Sequence, residues 1–300
     1  MSVFVDRDSR VVIQGITGTH ATFHARDAMS IGTRIVAGVT PGRGGTTHLG
    51  VPVFDDVADA VRETGATVSG IFVPPQVAVD GLYEAIEAGI DVAVIIADGV
   101  PVQDMVRTKR YLAGRSTTII GPNSPGIITP GACKVGIMPS HIYSAGRVGV
   151  VSRSGTLNYE AVSQMTKLGV GQSTCVGIGG DPVNGTDFRV VLEAFENDDG
   201  TDVVVMIGEI GGQQEVEAAA WASSYMTKPL VCFVAGVSAP RGRRMGHAGA
   251  VISGDRDTAT AKLDAIEALG HRVVRNPADI GDTVLRVVKE LGERIPAAGA

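Results

Sequence analysis

The sequence predicts an α/β protein built from two successive doubly wound units. Short runs of β-branched residues alternate with helical patterns along nearly all 300 residues, which is typical of parallel sheets covered by helices on both faces. Glycine accounts for 40 of the 300 residues, about twice its ~7% share of average proteins. Several of these glycines directly follow a predicted strand, where ligands bind in this class of fold.

The first unit alternates strands and helices up to about Gly121. Its predicted strands are Val11–Gln14, Ile35–Val39, Val68–Val73, Val92–Ile96 and Thr118–Ile120. Its predicted helices lie at about Ala21–Ser30, Val57–Thr64, Val77–Ala88 and Gln103–Leu112.

Residues 122–147 break the alternation, and their Gly-Pro turns predict a crossing between domains. The second unit then begins. Its predicted strands are Val148–Ser152, Gln172–Val176, Val203–Ile207, Leu230–Val234 and Arg272–Val274. Its predicted helices lie near Thr156–Leu168, Phe188–Phe195, Glu215–Tyr225, Thr258–Leu269 and Asp279–Glu290.

Composition excludes several classes of function. A net charge of −6 argues against a protein that mainly wraps nucleic acid, and 4% aromatic residues argue against a base-stacking platform. No run approaches the ~18 apolar residues of a membrane span. The cysteines, Cys133, Cys175 and Cys232, show no CxxC spacing, which favours a reducing compartment. We therefore expect a cytoplasmic protein, or the mature form of an organellar one, with neither nucleic-acid nor membrane partners.

A glycine-rich turn, Gly15-Ile16-Thr17-Gly18-Thr19-His20-Ala21, joins the first strand to the first helix. Backbone amides at such a turn suit an anion, although a plain tight turn needs glycine equally. An NAD site would require an acidic residue after the second strand. Arg43 stands there instead, within Gly38–Thr47, and suits the extra phosphate of NADP or the 3′-phosphate of coenzyme A. The alternative is a solvated arginine. The loop Ala97-Asp98-Gly99 follows the fourth strand, so that Asp98 either bonds a ligand or holds a turn.

The second unit offers an anion pocket, an acid and a histidine. Ser152-Arg153-Ser154-Gly155-Thr156 opens a helix, where hydroxyls serve either as ordinary N-caps or as phosphate ligands. Glu209 ends a strand between glycines. His247 lies in a loop of small residues with three nearby arginines; its imidazole is a good nucleophile near pH 7, and Glu209 is placed to orient it. A loop histidine without function is the alternative.

Taken together, these motifs resemble the α subunits of succinyl-CoA synthetase (succinate–CoA ligase) over nearly the whole chain. The motifs that match in order and spacing are Gln14–Gly18, Gly38–Thr47, Gly121–Asn123, Ser152–Thr156, Gly177–Pro182, Gly208–Gly212 and Gly246–Ala250. The resemblance implies a Rossmann-like CoA-binding domain at 1–121, a crossing at 122–147 and a flavodoxin-like doubly wound ligase domain at 148–300.

The same resemblance assigns roles to individual residues. His247 would be the phosphohistidine, Glu209 its orienting carboxylate, and Tyr159 a residue that frames the acid substrate. The phosphoryl group would be received at Ser154, Gly155 and Thr156. The expected CoA contacts are Thr17, Gly18, Thr19, His20, Arg43, Ala97, Asp98 and Gly99. No residue of this chain is expected to bind a metal.

The implied chemistry is that of an acid–thiol ligase of the tricarboxylic acid cycle. A nucleoside triphosphate phosphorylates His247, the phosphohistidine phosphorylates succinate, and the CoA thiolate then displaces phosphate. Mg²⁺ and ATP or GTP would bind an ATP-grasp domain of a β subunit, in an αβ or α₂β₂ assembly. A malate–CoA ligase or a related acid–thiol ligase is the near alternative; an NADP-dependent oxidoreductase or a CoA sensor is more distant.

Three positions depart from the common pattern of this family. Arg43 stands where lysine is common, which keeps the charge and changes the geometry. His20 replaces a usual glutamine. Ser124 stands where many members have cysteine, so no role that needs a thiol is carried over.

Overall fold

The computed structural model describes residues 2–294. Within these residues, one compact unit comprises 2–140 and 176–186, and the other comprises 141–175 and the residues from 187 onwards. The domain limits expected from the sequence, 1–121, 122–147 and 148–300, stay a prediction. Their terminal residues, 1 and 295–300, lie outside the described part.

The first unit contains a parallel sheet flanked by helices. Its elements are β1 (Arg10–Gln14), α1 (Thr19–Ser30), β2 (Arg34–Val39), β3 (Thr47–His48), β4 (Val51–Phe54), α2 (Val57–Thr64), β5 (Val68–Ile71), α3 (Pro75–Glu87), β6 (Val92–Ile95), α4 (Val102–Tyr111), β7 (Thr118–Ile120), β8 (Gly126–Thr129) and β9 (Cys133–Gly136). The sheet order is β3-β4-β2-β1-β5-β6-β7. Six of these strands, from β4 to β7 in that order, pair in parallel, which is the Rossmann arrangement 3-2-1-4-5-6.

The second unit has the other common doubly wound order. Its elements are β10 (Ala145–Ser152), α5 (Gly155–Lys167), β11 (Gln172–Gly177), α6 (Phe188–Glu196), β12 (Val203–Glu209), α7 (Gln214–Tyr225), β13 (Leu230–Ala235), α8 (Ala259–Ala268), β14 (Arg272–Val274) and α9 (Ile280–Arg294). The strands run in the order β11-β10-β12-β13-β14, equivalent to the flavodoxin-like order 2-1-3-4-5. The predicted fold class is confirmed.

Continuous apolar strands form because both sheet faces are covered. In β1, the run from Val11 to Ile13 is buried, and Leu82 of α3 packs without solvent exposure in the core of the first unit. Helix α2 begins where Asp56 accepts a hydrogen bond from the Asp59 amide. These buried elements hold the loops at the carboxyl ends of the strands.

Two hairpins were absent from the sequence-based prediction. The short strands β3 and β4 pair antiparallel. Pro52 lies within β4, and a proline inside an apolar run argues against a strand, so the sequence pattern did not predict this one. The segment predicted as an irregular crossing contains the antiparallel pair β8–β9. Glycine and proline flank β8 closely, so its four residues were too few to show a periodicity.

The three thiols are buried. Burial raises the pKa of Cys133 to about 12 and also raises the pKa of Cys175 and of Cys232, so all three are protonated at neutral pH. The predicted cytoplasmic location stays a prediction. Across residues 2–294, none of the helices combines the length and apolar character that crossing a bilayer requires.

Replacing Leu82 with alanine should destabilise the first unit by about 2–5 kcal/mol, because the side chain is fully buried and its loss leaves a cavity. The matched control is Val77→Ala on the same helix, where the side chain is 46% exposed and the expected change is within about 0.5 kcal/mol. Urea denaturation followed by circular dichroism measures both. Equal effects of the two substitutions would contradict this packing.

Candidate functional site

The turn after β1 leaves the N-terminus of α1 open to an anion. Gly15 has a φ of 76°, and a Cβ there would lie 2.8 Å from the carbonyl oxygen of Phe72, so only glycine fits. Gly18 is the N-cap of α1 and supplies no capping side chain. The predicted contact residues of this turn are all exposed: Thr17, Gly18, Thr19 and His20. The first amides of α1 therefore fit a phosphate group.

Two further loops lie at the same edge of this sheet. After β2, the amides of Arg43 and Gly44 donate to a carboxylate oxygen of Asp55 at 3.1 and 2.9 Å, and the Arg43 side chain is exposed. This loop is joined to the first by the hydroxyls of Thr17 and Thr40, 3.2 Å apart.

After β6, the Ala97 carbonyl accepts a hydrogen bond from the Asn123 amide at 2.9 Å. Asp98 and Gly99 are exposed, and Gly99 has a φ of 86°. Because β1, β2 and β6 run parallel, their loops share the carboxyl edge of the sheet. The residues expected to contact coenzyme A therefore lie on one edge, with exposed amides and a guanidinium that suit its phosphates.

In the second unit, α5 begins at the predicted phosphate-binding segment. The Ser154 hydroxyl accepts a hydrogen bond from the Leu157 amide at 3.3 Å, so it is an N-cap, and the Ser152 hydroxyl donates to the Ser154 carbonyl at 2.8 Å. The amides of Gly155 and Thr156 belong to the first turn, where no intrahelical acceptor exists. The same helix end is thus both capped and suited to an anion.

His247 and Glu209 lie in direct contact. His247 Nδ1 is 2.6 Å from Glu209 Oε2; the imidazole is 26% exposed and the carboxylate is 8% exposed. The loop turns tightly around the ring, because the His247 amide donates to the Met245 carbonyl and the His247 carbonyl accepts from the Ala250 amide, each at 3.1 Å. A carboxylate at Nδ1 favours the tautomer whose lone pair is on Nε2.

Arg153 contacts Glu209, and the sequence reasoning gave its side chain no role. Its Nε lies 3.2 Å from Glu209 Oε1, and its side chain is slightly more buried than that of Glu209. The Glu209 carboxylate therefore lies between a guanidinium and an imidazole. Ser152 and Ser154 flank Arg153 in the sequence. Because serines before a helix are typical N-caps, the segment was interpreted through its hydroxyls and not through the Arg153 side chain.

Two tyrosines lie at or near the start of α5. The Tyr143 hydroxyl donates to Asn158 Oδ1 at 2.9 Å, and burial raises its pKa. Tyr159, the predicted substrate contact, is half-buried, and desolvation raises its pKa to about 12. Its phenol therefore stays neutral at physiological pH and suits the donation of a hydrogen bond to a carboxylate.

Two family models match the chain where these sites lie. Residues 6–99 match the CoA binding domain, and residues 151–271 match the CoA-ligase domain. These matches define a CoA ligase component, with coenzyme A binding supported for the first unit. They agree with the class that the sequence motifs predicted.

Curated relatives identify the family. The succinate–CoA ligase [ADP-forming] subunit alpha of Staphylococcus aureus is 55% identical over 97% of this chain and 97% of its own length. The protein of the same name from Staphylococcus epidermidis is 53% identical with the same coverage. The chain belongs to the family of succinate–CoA ligase α subunits, which implies a β partner. The resemblance and the expected enzyme class are confirmed.

Solved structures agree with the fold. The ATP citrate lyase of Methanothrix soehngenii, in complex with citrate and coenzyme A, matches with a TM-score of 0.86 at 28% identity; the match covers 97% of this chain and 51% of that one. The dinucleotide-forming acetyl-coenzyme A synthetase 1 of Ca. Korarchaeum cryptofilum matches at a TM-score of 0.73, 19% identity, and 94% and 61% coverage. This chain thus spans about half of the ATP citrate lyase chain.

The contact with Glu209 should hold His247 in the Nδ1–H tautomer. Two-bond ¹H–¹⁵N correlation spectra of histidine-labelled protein at a pH above the imidazole pKa measure this directly. Glu209→Ala should shift His247 toward the Nε2–H tautomer. His271 is the internal control, because its Nε2 lies 2.7 Å from the Ala219 carbonyl and should keep its proton in both proteins. An unchanged His247 signal would contradict the assignment.

Proposed function

We propose that this chain, with a β subunit, forms succinyl-CoA from succinate, coenzyme A and a nucleoside triphosphate, and that His247 carries the phosphoryl group between the reactants. The observation that supports this most directly is the contact between His247 Nδ1 and the buried Glu209 carboxylate at 2.6 Å. A histidine held in this way presents Nε2 as a nucleophile. The membership of the chain in the succinate–CoA ligase α family supports the substrate.

The residues of this chain then perform a phosphoryl relay. The lone pair of His247 Nε2 forms a bond to the terminal phosphorus of the nucleotide as the bond to the diphosphate breaks. The imidazolium is stabilised by Glu209 at Nδ1. A carboxylate oxygen of succinate then takes the phosphoryl group, His247 returns to its neutral form, and the CoA thiolate displaces phosphate from the acyl phosphate.

The start of α5 is the proposed receptor for the transferred group. The amides of Gly155 and Thr156 lie at the positive end of the helix dipole and suit a phosphoryl oxygen. Ser154 fixes this end by capping. Tyr159, one turn further on, is the proposed contact for the acid substrate.

The nucleotide is proposed to bind the β subunit, on an ATP-grasp domain with Mg²⁺. The chain contains no Gly-x-x-x-x-Gly-Lys-Ser/Thr motif. The names of the relatives specify ADP formation, which supports ATP over GTP. Mg²⁺ would neutralise charge on the transferred phosphates when it is bound there. Both αβ and α₂β₂ assemblies fit this proposal.

The acid substrate is a separate question. Initial rates of the αβ complex with succinate and with malate distinguish the two candidate acids.

The first unit is the proposed CoA site. The amides after Gly18 face the pyrophosphate, and the exposed Arg43 guanidinium pairs with the 3′-phosphate. Asp55 keeps the Arg43 loop in place through its two amide contacts. Ala97, Asp98 and Gly99 complete the edge.

His247 should become radiolabelled when the αβ complex is incubated with γ-labelled ATP. The phosphate should be acid-labile and base-stable, and addition of succinate and CoA should remove it. His247→Asn should abolish labelling and lower ligase activity by several orders of magnitude, because the nucleophile is lost. Labelling that persists in the Asn variant would refute the role of His247, and ligase turnover by the isolated chain would refute the need for a partner.

Arg43→Ala should raise the KM for CoA about tenfold, because a charge-assisted contact contributes about 1.5 kcal/mol or more. The KM for dephospho-CoA, which lacks the 3′-phosphate, should change less than twofold. Arg110→Ala removes another exposed arginine, in the last turn of α4, and should leave both constants unchanged. An equal loss with both coenzymes would assign Arg43 to a different part of the ligand.

A further inference from the structure

A fully buried ion pair lies beneath the turn that carries Glu209. Lys262 of α8 and Glu215 of α7 have no solvent-exposed side-chain surface, and Lys262 Nζ is 2.6 Å from Glu215 Oε2. A substrate that approaches from solvent does not reach side chains enclosed in this way. The pair therefore needs an explanation other than direct contact with a substrate.

All three hydrogens of the Lys262 ammonium group have acceptors. Besides Glu215, Nζ donates to the carbonyl oxygen of Glu209 at 2.8 Å and to that of Gly211 at 2.7 Å. A lysine offers three donors and no more. The single Nζ atom of Lys262 thus binds the carbonyl groups at both ends of the turn from Glu209 to Gly211.

Glu215 binds the backbone amide of Glu209, whose carbonyl is bound by Lys262. Its Oε1 accepts a hydrogen bond from the Glu209 amide at 3.2 Å, while Oε2 pairs with Lys262. A Cβ on Gly208 would lie 2.3 Å from the Glu215 Cγ, so the backbone before Glu209 comes close enough only because it is glycine. The amide and the carbonyl of Glu209 are therefore both bound by the buried pair.

Stability alone does not account for such a pair. Burying two charges costs as much as their attraction returns, and apolar residues of similar volume are often as stable. What apolar residues cannot provide is an acceptor for the Glu209 amide and donors for two carbonyls at the end of a strand. The benefit of the charges is therefore the fixed position of Glu209.

We propose that Lys262 and Glu215 are positioning residues that hold the Glu209 carboxylate where it accepts the Nδ1 proton of His247. This inference rests on the proposed role of His247 as phosphoryl carrier. Displacement of a catalytic group by about 1 Å can cost about a hundredfold in rate. A shift of the Glu209 backbone would be passed directly to the carboxylate.

The test is the double variant K262M/E215Q, prepared as the αβ complex. Methionine and glutamine keep the volume and leave no unpaired buried charge, and the amide that replaces the Glu215 carboxylate retains an oxygen for the Glu209 amide. The initial rate of His247 labelling by γ-labelled ATP should fall at least tenfold, while the KM for CoA changes less than twofold. A labelling rate within twofold of wild type, in a complex that unfolds cooperatively, would overturn the proposal.

A double-mutant cycle with Glu209 separates positioning from a general structural effect. If the pair acts through Glu209, K262M/E215Q should change the labelling rate less than twofold when it is introduced into E209A. Multiplication of the two losses would instead show that the pair acts elsewhere, and would overturn the proposal. If the double variant does not fold, E215D replaces it, because aspartate keeps both charges and withdraws the carboxylate by one methylene; the expected loss is at least threefold and should again disappear in E209A.

A second ion pair, formed by a buried lysine and a partly exposed aspartate, provides the control. Lys134 is 1% exposed and pairs with Asp27 in the first unit, whereas the turn after β12 belongs to the second unit. K134M/D27N should leave the labelling rate within twofold of wild type. The proposed function and this inference fail separately: absence of labelling in the wild-type complex refutes the former, whereas equal labelling of wild type and K262M/E215Q refutes only the latter.

Discussion

The second unit depends on one buried carboxylate, that of Glu209. A charge at this depth needs partners in fixed geometry, and its two oxygens meet Arg153 Nε at 3.2 Å and His247 Nδ1 at 2.6 Å. Arg153 directly follows β10 and Glu209 ends β12, the two neighbouring strands from which the rest of the sheet is wound in opposite directions. Doubly wound sheets leave a crevice at that junction, so the topology itself brings the guanidinium and the carboxylate together.

The two units treat negative charge in opposite ways. The first unit leaves its donors exposed: the amides at the start of α1 and the Arg43 guanidinium are open to solvent and suit the negative charge of a large, mobile substrate. The second unit encloses its own negative charge and exposes only part of an imidazole. In the proposed function, coenzyme A is recognised by exposed donors, whereas the phosphoryl carrier is a histidine whose orientation is set by a buried carboxylate.

The sequence predicted most of the fold. Of the candidate site, it predicted Glu209 and His247 but not the residues that support them. Apolar periodicity identified every strand of the second unit because most of their residues are buried. It missed β3, β4, β8 and β9, which are short and contain or lie close to proline or glycine. Motif position found Glu209 and His247. The supporting residues were hidden although a signal existed: Lys262 shares a helix face with the buried Ala259, Leu263 and Ile266, and Glu215 shares one with Ala218, Ala219 and Ala222. A charge on an apolar face shows that a partner is required and does not identify it.

The buried thiols have a consequence for the proposed reaction, which forms an acyl phosphate. Such an activated acid acylates any accessible thiolate, and the substrate thiol must compete with those of the protein. Cys133, Cys175 and Cys232 are enclosed and protonated. The Ser124 hydroxyl donates a hydrogen bond to the Gly177 carbonyl at 2.5 Å. In the proposed reaction, none of these three thiols is therefore available to compete with the thiol of coenzyme A for the acyl group.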